Sequence, residues 1–149
     1  MTLQEKLAAD LTAAMKSGDK SRLSVLRMAK SALKYAEIDK GNPLDDVGVI
    51  EVLSREAKKR RDSVTEFTKA GRQEMADKEE FELGVIQEYL PEQMSQSDIE
   101  AVVKQVIEET GAQGPGDKGK LMGKLMPQLK GKADGQLINQ IVTRMLDQA

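Results

Sequence analysis

The sequence predicts an all-α protein, with an N-terminal bundle of about four helices followed by a small C-terminal domain of three. Aromatic residues, which favour strands, make up only 3% of the 149 residues. The β-branched residues recur at helical rather than alternating spacing. Between turn residues, apolar side chains recur every three or four positions, which is the pattern of helices with one buried face.

The first two helices are defined by their caps and their apolar stripes. Thr2 and Glu5 have the spacing of a capping box, and Gly18 ends the first helix. Asp19 then caps the second. The predicted inward stripes are Leu3, Leu7, Leu11 and Met15 in the first helix, and Leu23, Leu26, Ala29 and Leu33 in the second.

A third helix follows the break "KGNPLDD", with Asp46 as its predicted cap. Its inward stripe includes an arginine: Ile50, Leu53, Ala57, Arg60, Val64 and Phe67. We expect the Arg60 stem to pack in the core while its guanidinium meets a carboxylate from the acidic helix after Gly71.

The fourth helix runs from about Arg72 to Tyr89, with Met75, Leu83, Ile86 and Leu90 inward. Pro91 ends it, because proline disfavours a helical conformation in the residue before it. The polar residues that follow are typical of a linker. We therefore place a boundary near residue 94, which gives domains 1–94 and 95–149.

Three shorter helices are predicted beyond this boundary. Ser97 and Glu100 form a second capping-box pattern, and Gly111 ends that helix. The next runs from about Asp117 to Met126, with a kink at Pro127. The last starts at Asp134 and turns Ile138, Ile141, Val142 and Met145 inward.

The composition excludes several classes of function. The chain has neither cysteine nor histidine, so disulfides, the usual zinc sites, thiol nucleophiles and imidazole bases are excluded. We expect no catalytic residue, cofactor or metal. No apolar run is long enough to cross a bilayer, and the start "MTLQEKLAAD" lacks an apolar signal core. These observations predict a cytoplasmic protein without a membrane partner.

Charge is unevenly distributed although the net charge is only −2. Residues 55–61 carry five bases and one acid, whereas residues 72–92 carry two bases and seven acids. Two adjacent helices that pair opposite charges, or that solvate their outer faces, explain this pattern without a ligand.

The segment "GPGDKGK" at residues 114–120 resembles a nucleotide-binding loop, but its context does not. Such a loop needs Ser or Thr after its lysine and a strand before its glycines. Here Leu121 follows Lys120, and the preceding segment is a predicted helix. A nucleotide site is therefore rejected.

The same segment contains a tandem unit, "GKLMGKLM", in which each residue type recurs four positions later. On a helix this spacing aligns Gly119 with Gly123 and Lys120 with Lys124. Two glycines inside a helix cost about 2 kcal/mol relative to alanine. Either a neighbouring helix packs closely on the bare side, or the backbone must approach an RNA phosphate or ribose. Residues 117–132 also carry five lysines against one acid, a charge suited to a sugar-phosphate backbone: Lys118, Lys120, Lys124, Lys130 and Lys132.

Two long stretches, "KKRRDSVTEFTKAGRQEMADKEEFELGVIQEYLPEQMS" and "DKGKLMGKLMPQLKGKADGQLINQIVTRML", resemble the YqeY family. The shared motifs are Arg61, "AGR" at 70–72, Glu79 with Glu82, "YLP" at 89–91, "GKLMGKLM" and "KGKADG" at 130–135. The C-terminal part of that family is similar to the tail domain of the B subunit of the glutamyl-tRNA(Gln)/aspartyl-tRNA(Asn) amidotransferase.

The resemblance implies a helical bundle followed by a helical tail domain that contacts tRNA. Carried over residue by residue, it points to Gly119, Lys120, Gly123, Lys124, Lys130 and Lys132. Lys118 stands where the family often has an apolar residue, so it either enlarges the basic surface or marks an exposed position. The expected function is a non-catalytic tRNA-associated binding module.

Two other functions stay open. One is a protein-interaction adaptor for an aminoacyl-tRNA synthetase or an amidotransferase subunit. The other is an accessory role in carbon-nitrogen ligase activity with glutamine as amido-N-donor, a label that the resemblance carries from the larger enzyme. The amidase and phosphorylating parts of that enzyme do not fit in 149 residues of helix, so we expect no intrinsic activity.

Overall fold

The computed structural model describes residues 1–148, which form seven α-helices and contain no strand. The all-α prediction is therefore confirmed. A single 3₁₀ turn, Pro115–Asp117, precedes the sixth helix within these residues. In chain order the helices are α1 (Leu3–Ser17), α2 (Lys20–Lys40), α3 (Asp46–Lys69), α4 (Gln73–Gln87), α5 (Gln96–Thr110), α6 (Lys118–Leu129) and α7 (Gly135–Asp147).

The chain divides into two compact units, Met1–Pro91 with α1 to α4 and a second that begins at Glu92 and contains α5 to α7. The sequence placed this boundary three residues later, near 94. Met94 packs against the core of the second unit, and its backbone N–H donates to the Lys132 carbonyl at 2.9 Å. The linker-like residues before α5 are thus already part of the second unit.

In the first unit, α2 contacts each of the other three helices, and α3 packs along α4. The core is mainly aliphatic, and its largest fully buried side chains are Leu26, Leu33 and Leu53. Burial of each such leucine stabilises the fold by roughly 1.5–3 kcal/mol. Two predicted inward residues are instead on the surface, because Met15 is 54% and Met75 44% exposed. Ala14 and Ala76 are buried in the same helices.

Arg60 lies in this core with only 8% of its surface exposed. Its Nη1 atom is 2.7 Å from Glu56 Oε2, and its Nε atom is 3.6 Å from Glu82 Oε2. Because Glu82 belongs to α4, the expected pairing with the acidic helix after Gly71 is confirmed. Burial, and next the neighbouring Glu79 carboxylate, raise the pKa of Glu82 despite this pairing.

Two helix caps differ from the sequence-based assignment. Asp45, not Asp46, caps α3 by accepting from the Gly48 N–H at 2.9 Å. Asp46 instead accepts from the N–H of Leu3, at the start of α1. The capping box of α5 is formed by Ser95 and Asp98, two residues before the predicted pair.

In the second unit, ten aliphatic side chains from α5, α6 and α7 are buried against one another. The last helix is predicted to start at Asp134, and this residue is its N-cap, accepting from the Gln136 N–H at 3.2 Å. Ile138, Ile141 and Val142 are buried, while Met145 is half-buried and Leu146 takes the inner position. α6 continues through Pro127 to Leu129, three residues beyond its predicted end.

Candidate nucleic-acid interface

The orientation of α6 is fixed by leucines four residues apart. Leu121, Leu125 and Leu129 are at most 1% exposed and form the part of the helix that enters the core. A helix turns by about 100° per residue, so the face opposite these leucines must point outward. The helix follows α5 and a 3₁₀ turn, with no strand in the described residues 1–148. This context agrees with the rejection of a nucleotide-binding loop.

The outward face of α6 carries Gly119, Lys120, Gly123 and Lys124, and we call these four residues the α6 outer face. All four are exposed. Apart from its chain neighbours and the adjacent backbone of α6, a Cβ atom built on either glycine would meet no atom of residues 92–148 within 4 Å. Within the second unit, no helix therefore packs against the bare side, and close packing there does not explain the glycines.

The two lysines of this face are unpaired within the part of the chain that the structure describes. Neither Lys120 nor Lys124 has a carboxylate oxygen within 4.0 Å among residues 1–148. The acids nearest in sequence are used elsewhere, because Asp117 accepts from the Gln113 N–H at 2.9 Å and Asp134 caps α7. The ammonium groups remain available to an external anion.

Pro127 lies on the same side of α6, one turn after Gly123, and is exposed. Proline has no N–H, so it cannot donate to the carbonyl four residues earlier, which is that of Gly123. A backbone acceptor thus lies beside a bare patch of helix. The sequence predicts only a kink at Pro127; its spacing of four residues from Gly123 is the sequence signal that identifies the carbonyl it leaves without a donor.

Lys118 is not on the α6 outer face. It lies two residues before Lys120, which is about 200° around the helix, and so points to the same side as Leu125 and Leu129. Its side chain is half-buried at the start of α6. The structure therefore separates this lysine from the other lysines of the helix.

Lys130 and Lys132 follow the end of α6 and are both exposed. Between them Gly131 adopts a left-handed conformation with φ of 77°, which favours glycine. The Gly131 carbonyl accepts from Gln93 Nε2 at 2.8 Å, and the Lys132 carbonyl accepts from Met94 N–H at 2.9 Å. The chain before α5 thus holds this loop, about 9 Å along the helix from Lys124.

Neither a metal-binding group nor a membrane-spanning helix is found among the described residues. Among residues 1–148 no three acidic side chains are grouped so that they could hold a metal ion. No helix in the same range has both the length and the apolar character needed to cross a bilayer. The α6 outer face presents two ammonium groups and exposed helix backbone.

Comparisons with known proteins give a family and several relatives. The family model described as "Yqey-like protein" matches residues 4–146. An uncharacterized protein of Schizosaccharomyces pombe is 33% identical over 93 residues, which cover 62% of this chain and 76% of that protein. "Altered inheritance of mitochondria protein 41, mitochondrial" of Pyrenophora tritici-repentis is 27% identical over 144 residues, which cover 95% and 79%. The protein of that name from Saccharomyces cerevisiae (strain YJM789) is 30% identical over 105 residues, which cover 68% and 57%.

These names contradict the expectation of a cytoplasmic protein. The expectation is wrong because the named relatives are mitochondrial proteins. The expectation depended on the lack of an apolar signal or membrane-spanning run. Mitochondrial targeting segments are amphipathic and rich in arginine, so that test does not detect them. The composition of a folded domain does not specify its compartment.

Proposed function

Because the chain belongs to the YqeY-like protein family, whose model spans residues 4–146, we propose that its second unit is a non-catalytic module that binds tRNA. The observation that carries the proposal is the α6 outer face, where two unpaired lysines lie beside two uncovered glycines. The motif resemblance to the amidotransferase tail domain supports tRNA as the RNA.

The chemistry of this face fits a sugar-phosphate backbone. Lys120 and Lys124 are one helical turn apart, so both ammonium groups can contact phosphates of one strand. The glycines let a ribose approach the helix backbone without meeting side chains. The Gly123 carbonyl, which Pro127 cannot engage, offers an acceptor to a ribose 2′-hydroxyl. Lys130 and Lys132 extend the contact beyond the end of α6.

The relatives' names support a mitochondrial setting for this activity. Cell fractionation with a tagged chain is the measurement that checks it. Recovery of the protein with the mitochondrial fraction, protected from added protease, is the expected result. Recovery only in the soluble cell fraction would contradict this setting without affecting the RNA-binding proposal.

Charge reversal tests the lysines directly. The Lys120→Glu/Lys124→Glu double variant should lose tRNA binding in a fluorescence anisotropy titration at low salt, because two phosphate contacts become repulsive. Lys34→Glu/Lys104→Glu is the matched control, since it changes net charge equally at two exposed lysines on α2 and α5. Circular dichroism checks that both variants stay helical. An equal loss of tRNA affinity in the two variants would show that net charge, and not the α6 outer face, causes the effect.

The salt dependence tests how many lysines take part. If Lys120, Lys124, Lys130 and Lys132 contact phosphates, log affinity should fall with log salt at a slope of about −3. The Lys120→Glu single variant should make this slope shallower by about one. A wild-type affinity that does not change with salt would overturn the proposal.

The glycines separate binding from stability. Gly119→Ala and Gly123→Ala place a methyl group in open space, so each should stabilise α6 by about 0.5–1 kcal/mol. If RNA approaches the bare backbone, the same variants should weaken tRNA binding. A DNA hairpin of the same sequence as the RNA probe should bind more weakly, because it lacks the 2′-hydroxyl. If the alanine variants bind tRNA as tightly as wild type, the glycines are not part of the tRNA interface.

A further inference from the structure

A groove between α2 and α3 crosses the first unit. Its larger part has a volume of about 880 Å³ and its smaller part about 660 Å³. The two parts share Ala32, Tyr35 and Glu56 in their linings, so they form one continuous depression. We call it the α2–α3 groove. It reaches from Lys20 to Lys40 along α2, which is about 30 Å and matches a helix of roughly 20 residues.

The groove exposes apolar side chains that no element of the described first unit covers. Met28 is 41% and Tyr35 72% exposed, and they lie two turns apart on the same side of α2. Leu23 and Ala32 line the groove beside them. Methionine and tyrosine are enriched at protein interfaces, where they supply adaptable or rigid apolar contact area. This lining fits apolar side chains that recur along a partner helix.

The charge around the groove is mainly positive. Three acids line it, and one of them, Glu56, already pairs with Arg60 and Lys59. Lys20 and Arg27 are exposed, and neither has a carboxylate within 4.0 Å among residues 1–148. The basic side chains of the lining are twice as many as the acids: Lys20, Arg27, Lys40, Arg55, Lys59 and Arg60. A positive groove on a chain of net charge −2 selects an acidic partner.

Arg60 adds an incompletely used donor at the bottom of the groove. Its Nη1 donates to the Glu56 carboxylate at 2.7 Å and to the Glu56 carbonyl at 3.1 Å. Its Nε lies 3.6 Å from Glu82 Oε2, an ion pair without a hydrogen bond, and its Nη2 has only the Met28 sulfur at 3.8 Å, a weak acceptor. A small movement of the half-exposed Met28 would open Nη2 to a carboxylate.

We propose that the α2–α3 groove binds an acidic amphipathic helix of a partner protein. The apolar side of that helix packs on Met28 and Tyr35. Its carboxylates meet Lys20 and Arg27 at the rim, and one of them reaches Nη2 of Arg60. The apolar lining favours the apolar side chains of a partner helix over a nucleic acid, whose polar backbone gains little from apolar contact.

Site-specific photocrosslinking identifies the occupant. Tyr35 is replaced by p-benzoylphenylalanine in the full chain, which keeps an aromatic ring in the groove. The same replacement at Phe81 is the matched control, because this residue is an aromatic side chain of α4 in the same unit and is 47% exposed. After irradiation in cells, the crosslinked peptide is sequenced by mass spectrometry. The expected product appears at position 35 only, and its sequence is acidic with apolar residues three and four apart.

A second measurement ties the product to the charges of the groove. The crosslinked segment is synthesised and titrated against the wild-type chain and against Arg27→Glu, whose exposed position should not affect folding. Affinity should fall about tenfold or more in this variant and stay unchanged in Lys34→Glu, which alters an exposed lysine of α2 outside the groove lining.

Several outcomes would overturn the inference. These are a crosslink to RNA, a crosslink to a second copy of this chain, a segment that is not acidic, or equal yields at positions 35 and 81. An Arg27→Glu variant that binds the segment as tightly as wild type would also overturn it. Failure of the tRNA experiments leaves this result unaffected, because the groove lies in the first unit.

Discussion

The first unit buries charged and hydroxyl groups between its helices, whereas the buried side chains of residues 92–148 are all aliphatic. In the first unit Arg60 joins Glu56 to Glu82, and the Tyr89 hydroxyl donates to Asp10. In the second unit the Glu100–Arg144 pair lies on the surface, at 36% and 47% side-chain exposure.

This difference shows two ways of specifying a helical bundle. A buried polar group must find its partner, so the first unit constrains which helices can be neighbours. The aliphatic core of the second unit is specified by apolar pattern and volume alone. Its packing therefore does not depend on buried charges, and Lys120 and Lys124 have no ion pair among residues 1–148. The predictions below test this contrast, from the largest expected effect to the smallest.

Removing the buried arginine should have the largest effect. Arg60→Ala leaves Glu82, whose side chain is only 13% exposed, without its cation, and should destabilise the first unit by about 4 kcal/mol. Hydrogen exchange resolved by mass spectrometry measures each unit separately. Arg55→Ala, at an exposed position of α3, is the control and should change little. The double variant Arg60→Met/Glu82→Leu should recover most of the loss. A loss below about 1 kcal/mol in Arg60→Ala would show that the polar cluster is dispensable.

A cavity in the aliphatic core should be the next largest change. Leu125 is fully buried, and Leu125→Ala should cost about 3 kcal/mol. That is comparable to the whole stability of a core of this size, so protection from exchange should be lost across α5 to α7 and retained in α1 to α4. Leu125→Met, which conserves volume, should cost less than about 1.5 kcal/mol. Equal loss of protection in both units would show that they unfold together.

The tyrosine hydroxyl should contribute less. Tyr89→Phe removes the donor to Asp10 and should lower the stability of the first unit by about 1.5 kcal/mol. Tyr35→Phe is the control, since that side chain is 72% exposed. Burial, together with the Asp10 hydrogen bond, raises the pKa of Tyr89 above its ordinary value of 10.0. The protonated Tyr89 hydroxyl therefore contributes its full stabilisation of the first unit below pH 10, and this stabilisation is lost as pH rises further. Denaturant midpoints from pH 8 to 11 should fall less steeply in Tyr89→Phe than in wild type.

The smallest expected effect is a pair of opposite pKa shifts at two glutamates, Glu100 and Glu82. The hydrogen bonds from Arg144 and then Gln96 lower the pKa of Glu100 below its ordinary 4.5. Its contribution is present above pH 4.5 and is lost as pH falls through the lowered pKa. The pKa of Glu82 is raised by burial, so its contribution is present below pH 4.5 and is lost as pH rises through the raised pKa. Carboxyl ¹³C titrations should give midpoints on opposite sides of 4.5, and Arg144→Ala should return Glu100 toward it. If Glu82 and Glu100 titrate with the same midpoint, the difference between the buried and the surface carboxylate is contradicted.

The sequence by itself determined that the chain is helical, and it located the helices and most of their inner stripes. Apolar periodicity acts over three or four residues, so it can be read without knowing the neighbours. The pairing of Arg60 with α4 followed from the same logic, because a cation on an apolar stripe needs a carboxylate from the next helix. The alignment of the lysines and glycines of α6 was equally local.

The tertiary structure decided which of several locally acceptable partners is used. Asp45 and Asp46 could each cap α3, but Asp46 bonds to the N–H of Leu3, 43 residues away in sequence. Glu100 could have closed a capping box with Ser97, but it pairs with Arg144 of α7. The rotation of α6 is set by three leucines in contact with other helices, which leaves Lys120 and Lys124 exposed and Lys118 half-buried. Capping and periodicity rules, which consider only residues close in sequence, allow each of these alternatives equally. Only contacts between residues distant in sequence distinguish them.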